Sequence, residues 1–229
     1  MKTWFSLFVL TLIAINVGAF YYLDQFTARY FQLFSTASFF IFFLFKYKTE
    51  TRILLVLALL TVCDGLIINY EDPLFKKIIY AVRILSYLTI ISYLYPYLSK
   101  LKLNLFTLII VSFVIGIDVY LLHDMAVYIP NYSVDIIFTV LFYMLGLTSL
   151  ALVATCISYL NRYANTKGFL IVLVSFCFVL SDITFYNAYY LDFKVFYYVD
   201  KIANVIGIAS LIIFAKKSIV SKTENLLNK

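Results

Sequence analysis

Seven ionisable side chains stand inside stretches that are otherwise apolar enough to cross a membrane: Asp64, Arg83, Asp118, Asp135, Asp182, Asp200 and Lys201. An ionised group at the centre of a bilayer is costly unless it is paired, protonated or wetted, so such residues mark functional sites by default. Asp64, in LALLTVCDGLII, and Asp182, in FCFVLSDITFYNAYY, are the least accountable as surface charges. A carboxyl group in apolar surroundings can hold a proton near neutral pH, while one beside a cation stays ionised. Two carboxyls in unlike environments therefore form an acid/base pair. Asp118 and Asp135 lie within about a turn of an interface, where a solvated carboxylate is ordinary. Asp200 adjoins Lys201 and reads as a structural partner for a neighbouring helix.

Other catalytic equipment is missing. His123 is the single histidine, which argues against a histidine zinc site or a Ser-His-Asp triad. There is no GxSxG elbow, no HExxH and no Gly-rich phosphate loop. Cys63, Cys156 and Cys177 have no metal-type spacing and read as small buried hydrophobes. No metal or other cofactor is expected. What remains is chemistry that needs only protonation and activation of water.

The elements that must hold these groups follow from composition. Of 229 residues, 64% are hydrophobic, 20% aromatic and only 13% charged, with mean hydropathy +0.97. A soluble domain carries about twice that charged fraction. The expected fold is an all-α polytopic membrane bundle in a single domain, residues 1–229. Eight spans are expected, near 4–23, 27–45, 51–69, 74–97, 103–122, 133–160, 167–189 and 194–215. The runs are too long for barrel strands. Phe and Tyr are plentiful and Ala and Gly few, so aromatic and β-branched side chains are expected between helices in place of small-residue contacts.

Loop charge tests the count. With eight spans, one side receives twelve basic residues: Lys2, Lys46, Lys48, Arg52, Lys100, Lys102, Arg162, Lys167, Lys216, Lys217, Lys222 and Lys229. The other side receives four, Arg29, Lys76, Lys77 and Lys194. The positive-inside rule then puts both termini in the cytoplasm, with a bacterial inner membrane as the expected location. The net charge of +6 serves topology, and no nucleic-acid partner is expected. The first span has the outline of a signal peptide, ending at Val17-Gly18-Ala19, but its apolar run continues to Leu23, so a retained helix is expected.

A shift of 118 residues lays spans three and four over seven and eight. Asp64 then meets Asp182, Asn69 meets Asn187, Phe75-Lys76 meets Phe193-Lys194, Tyr80 meets Tyr198 and Arg83 meets Lys201. An offset of four helices preserves orientation, giving a parallel four-plus-four repeat. Short loops make each pair antiparallel neighbours, so Asp64 is expected near Arg83 and Asp182 near Lys201, all lining one cavity. Substrate contacts are then expected from Arg83, Lys201, Tyr80, Tyr198, Asn69 and Asn187, the two cations holding a phosphate or tuning the carboxylates.

These motifs resemble the lysoplasmalogenase (YhhN-like) family of eight-helix membrane proteins. Its marks are a Gly-Asp motif late in the third helix and a Ser-Asp motif late in the seventh; Asp64 and Ser181-Asp182 correspond here. FYML, Phe142 to Leu145, resembles the sixth helix, and Tyr87 matches a tyrosine of the fourth. Cys63 stands in place of the motif glycine, and the Lys-Pro of the second helix and a histidine of the fourth have no counterpart. The resemblance implies hydrolysis of the vinyl ether of a lysoplasmalogen to a fatty aldehyde and a glycerophospho-head group, with Asp64 and Asp182 as the catalytic pair and a membrane lipid as the substrate partner. Paired intramembrane Asp and basic residues with an internal repeat also suit a proton- or ion-coupled transporter, and a catalytically inactive membrane scaffold is the third reading.

Overall fold

The computed structural model describes residues 2–47, 50–98, 116, 119–129 and 134–227. Most of these residues are helical, and no strand occurs among them. The helices are α1 (Lys2–Tyr22), α2 (Gln25–Lys46), α3 (Thr51–Ile67), α4 (Pro73–Leu94), α5 (119–127), α6 (Ile136–Tyr163), α7 (Thr166–Tyr190) and α8 (Phe196–Leu227), with a 3₁₀ turn at Tyr95–Tyr97 after α4. Six of them, α1, α2, α4, α6, α7 and α8, are long and apolar enough to cross a membrane. Their outward faces carry large apolar side chains, such as Trp4, Leu7 and Leu10 on α1 and Ile137, Val140 and Met144 on α6. The chain is an integral, multi-pass membrane protein.

Polar residues punctuate the helices where the sequence leaves the apolar phase. Asp24, Asp72, Asp135 and Asn165 each cap a helix N-terminus, accepting a backbone N–H two or three residues on. Pro73 follows Asp72 at the first position of α4, where its missing N–H costs nothing. The expected third span to residue 69 ends instead at Ile67. Residues 68–70 turn there, with Asn69 and Tyr70 donating back to Leu66 and Ile67. Seventeen residues make α3 about 25 Å long, shorter than a full crossing. In contrast, α8 continues twelve residues past the hydropathic boundary at 215, because SIVSKTENLL is polar but helix-compatible. Most of the expected fifth span lies outside the described residues, as does Asp118; α5 runs on to 127.

Sequential packing makes a closed ring. α1 packs on α2, α2 on α3, α3 on α4, α4 on α6, α6 on α7, α7 on α8 and α8 back on α1. α8 also touches α2 and α3, so it takes the most enclosed place in the bundle. One core cluster, around Phe39, Leu57, Tyr87, Leu152, Phe178 and Leu211, fills the bundle. A second, aromatic cluster with Tyr70, Tyr80, Phe138, Phe142 and Tyr186 fills the end at which α3 and α7 finish and α4 and α8 begin.

The expectation that aromatic bulk replaces small-residue contacts holds in these clusters but fails between α7 and α8. There Gly207 faces Phe178, and a Cβ on it would stand 2.8 Å from the ring. Ala203 and Ala209 are buried on the same helix. The absent side chain lets the two helices close around a ring that has no room to move, since Phe178 is fully buried. Gly207→Val is therefore expected to lower stability by about 1–3 kcal/mol, read as an earlier thermal unfolding transition in detergent.

Arg29, expected as a loop charge, lies in α2 and is buried. Its guanidinium grips Glu71 of the α3–α4 turn through two bonds of 2.9 and 2.8 Å, and also donates to the Ile68 carbonyl. Hydrogen bonding to Arg29 holds the Glu71 carboxyl below its ordinary value of 4.5. A carboxylate whose folded pKa is lowered stabilises the fold above its unfolded pKa, and that contribution fades as pH falls through the folded value. Glu71 is largely exposed, so the effect is at most about 1 kcal/mol. Glu71→Gln is expected to lower the melting temperature at pH 7, with the gap to wild type closing below about pH 4.5.

Candidate functional site

The charged residues meet where α2, α4 and α8 begin and α3 and α7 finish. Asp64 lies in the last turn of α3 and is buried. Two side chains one turn apart on α2 converge on it: Gln32 Nε2 donates to Oδ1 at 2.9 Å, and the Thr36 hydroxyl donates to Oδ2. Both donors are neutral. Asp182, eight residues before the end of α7, has a different shell. Arg83 of α4 donates from Nε at 3.0 Å and from Nη2 at 2.9 Å to its Oδ1. Tyr87, one turn further along α4, donates its hydroxyl to the other oxygen. The Arg83 guanidinium also lies 5.3 and 5.4 Å from the ring centres of Tyr87 and Phe178, within cation–π range.

The expected pairing is thus exchanged. Arg83 faces Asp182 and not Asp64, its side chain reaching across the bundle from α4 to α7. Lys201 turns away from Asp182. Its ammonium donates to Gln32 Oε1 and sits 3.2 Å from Asp200. The Gln32 amide therefore bridges Lys201 to Asp64, and its orientation is fixed by a donor on one side and an acceptor on the other. Each cation serves the aspartate of the opposite helix pair, Arg83 directly and Lys201 through an amide.

Asp64 and Asp182 line one cavity, together with Gln32, Tyr80, Arg83 and Asp200. Asp200 is the third carboxylate of this wall, buried, and bound by the Ser181 hydroxyl at 2.6 Å. An apolar cavity adjoins it, lined by residues of α5, α6 and α7 such as Met125, Phe142, Val153 and Ile183. The two share Tyr80, Leu145, Asp182 and Tyr186. Asp182 consequently stands at the border between a polar chamber and an apolar one.

Three of the expected contact residues stay outside this arrangement. Asn69 is exposed in the turn after α3. Asn187 is at the end of α7, where its carbonyl accepts from Leu191 and Phe193. Tyr198 packs edge-on against Phe20 of α1, 5.0 Å between ring centres. Position alone put them beside the aspartates; the helix faces they occupy do not. Asp135 pairs with Lys77 at 2.7 Å and caps α6, the ordinary role expected of it. The three cysteines are buried and unpaired.

Gln32, Thr36, Tyr87 and Asp200 complete the site beyond the sequence-based set. A signal for the first two exists: Arg29, Gln32, Ser35 and Thr36 recur at three- and four-residue spacing on an otherwise apolar α2, the mark of one polar helix face. Comparison of the chain with protein-family models, curated proteins and solved structures gives no match.

The unlike shells have unlike costs. Asp182→Asn leaves the buried Arg83 without its counter-charge and is expected to cost about 3–5 kcal/mol. Asp64→Asn removes a carboxylate held only by neutral donors and is expected to cost about 1–3 kcal/mol. Adding Arg83→Met to Asp182→Asn should recover much of the loss, which chemical denaturation in mixed micelles would measure.

Proposed function

We propose that the chain is a membrane-embedded hydrolase that cleaves the vinyl ether of lysoplasmalogen-type lysophospholipids, as the resemblance to the lysoplasmalogenase family suggests. The observation that carries this reading is the pair of aspartates lining one cavity in chemically opposite shells, with a separate apolar chamber opening beside one of them. Asp182 is ion-paired and stays a carboxylate. Asp64 meets only neutral donors, and the Thr36 hydroxyl can turn from donor to acceptor, so Asp64 is the group to carry a proton.

The reaction needs no more than this. A proton passes from the carboxylic acid to the vinyl carbon remote from oxygen, and the C=C electron pair forms the new C–H bond. The resulting oxocarbenium ion lies beside the carboxylate that stabilises it. Water adds to the cationic carbon and gives up a proton to a carboxylate. The hemiacetal then breaks its C–O bond to leave an alcohol and an aldehyde. One water is consumed and nothing is oxidised. The apolar chamber takes the alkenyl chain, with its apolar wall matching a hydrocarbon and Asp182 at its polar end.

The same reading takes eight spans, with residues near 103–122 as the fifth, both termini cytoplasmic and the site toward the outer face of a bacterial inner membrane. It also takes the four-plus-four repeat. In its support, α2 packs on α3 as α6 does on α7, and α4 packs on α6 as α8 does on α2. The exchanged cations, Arg83 and Lys201, follow the same relation.

One observation favours a scaffold instead: Asp64, Arg83, Asp182, Asp200 and Lys201 all have protein partners, as purely structural charges would. A coupled carrier would call for helices broken at the depth of the site, and α2, α4 and α7 carry Gln32, Arg83 and Asp182 on unbroken helix. Purified protein incubated with lysoplasmalogen is expected to release fatty aldehyde, and Asp64→Asn and Asp182→Asn to lower the rate by about 10²–10⁴-fold. Folded wild-type protein that releases no aldehyde from any lyso-ether lipid would sink the enzyme and leave the scaffold.

A further inference from the structure

Neighbouring lysines at the start of α4 are held in different ways. Lys77 makes an ion pair with Asp135. Lys76 instead places its ammonium over three tyrosine rings, 5.2 Å from the centre of Tyr70, 5.1 Å from Tyr189 and 5.9 Å from Tyr190. All three distances are within the range in which a cation is attracted by the negative face of an aromatic ring. The walls come from separate elements, Tyr70 from the α3–α4 turn and the other two from the last turn of α7, and they brace one another. Tyr70 and Tyr189 meet edge to face at 4.7 Å, Tyr189 and Tyr190 at 4.9 Å, and the Tyr70 and Tyr190 hydroxyls lie 3.2 Å apart. Phe185 backs the group, edge-on to Tyr70 and stacked on Tyr189.

This is the construction of an aromatic cage for an organic ammonium, and its walls are fixed by contacts that do not involve the lysine. Tyr70 is nearly fully buried and also lines the carboxylate cavity, so the cage stands at one wall of that cavity. Glu71, next along the chain and held by Arg29, adds negative charge nearby; Lys76 is among the groups that lower its pKa. Lys76 is only half-buried and hangs from the flexible four-carbon stem that lets a lysine withdraw.

We propose that Tyr70, Tyr189 and Tyr190 form a binding site for an organic ammonium group, and that Lys76 is its tethered, displaceable occupant. A ligand with a trimethylammonium group offers the same charge on a larger apolar surface, which suits three rings better than a strongly hydrated primary ammonium. Lys76 then sets a threshold, because an incoming cation must displace an ammonium held at high local concentration. The inference concerns binding and does not rest on the hydrolase reading.

Tetramethylammonium is the probe, titrated calorimetrically into the full chain in neutral detergent, with neopentyl alcohol as the uncharged compound of the same shape. Lys76→Gln is expected to bind tetramethylammonium at least about tenfold more tightly than wild type and to ignore neopentyl alcohol. Tyr189→Phe in the Lys76→Gln background should keep that binding, because the ring face remains, and Tyr189→Ala should abolish it. Equal affinity in wild type and Lys76→Gln, equal binding of the neutral compound, or full binding by the Tyr189→Ala double variant with unchanged melting temperature would each overturn the proposal. Two lyso-ether lipids separate the sources of the cation. Preference of Lys76→Gln for a phosphocholine over a phosphoglycerol head group assigns the cage to a lipid head. Tetramethylammonium binding without that preference assigns it to free organic cations and still supports the site.

Discussion

Everything at this end of the bundle follows from one constraint: charge removed from water must find a partner within reach of its own side chain. In a bilayer there is no solvent to accept the remainder, and an unpaired ion costs several kcal/mol. Arg83 meets this demand by crossing to Asp182, with Tyr87 closing the carboxylate's second oxygen. Lys201 meets it by sharing itself between Asp200 and Gln32. Arg83 and Tyr87 thereby tie α4 to α7, and Lys201 ties α8 to α2 through Gln32, each at a fixed height, so these bonds order the helices along with the apolar core.

The same constraint separates two aspartates that look alike in sequence. Asp182 has a guanidinium and a phenol; Asp64 has an amide and a hydroxyl. A buried ion pair is weak evidence for stability, because desolvation offsets the attraction. It is better evidence for a fixed charge state. One carboxyl group is paired with a guanidinium, and the other is surrounded by neutral groups that can reverse a hydrogen bond.

Basic side chains at the site end follow a common pattern. Arg29 grips Glu71, Lys77 pairs with Asp135 and Lys76 lies over tyrosines. Loop arithmetic counts these three as free charges that set orientation, yet each joins one segment to another. Tyrosine takes up the remainder of the polar work. Its ring is apolar enough for the interior and its hydroxyl still finds a partner, so the aromatic cluster around Tyr70, Tyr80 and Tyr186 can lie next to the carboxylates without leaving polar atoms stranded.

The sequence alone determined the helices and the suspects. Hydropathy places α1, α2, α4, α6 and α7 to within about three residues, because twenty apolar residues in lipid have one way to satisfy their backbone. Scarcity singles out Asp64, Asp182, Arg83 and Lys201, since a charge in an apolar run is rare whatever the fold. Only the tertiary structure decided who meets whom. A short loop between antiparallel helices predicts Asp64 with Arg83; the packed bundle gives Arg83 to Asp182, and a glutamine on α2 takes the vacated place. Asn69, Asn187 and Tyr198 each align with a residue of their own kind at a shift of 118 positions and still face elsewhere. Helix phase is set by which side chains interlock across the bundle, such as Phe178 against Gly207, and that information belongs to pairs of distant residues that no single stretch contains.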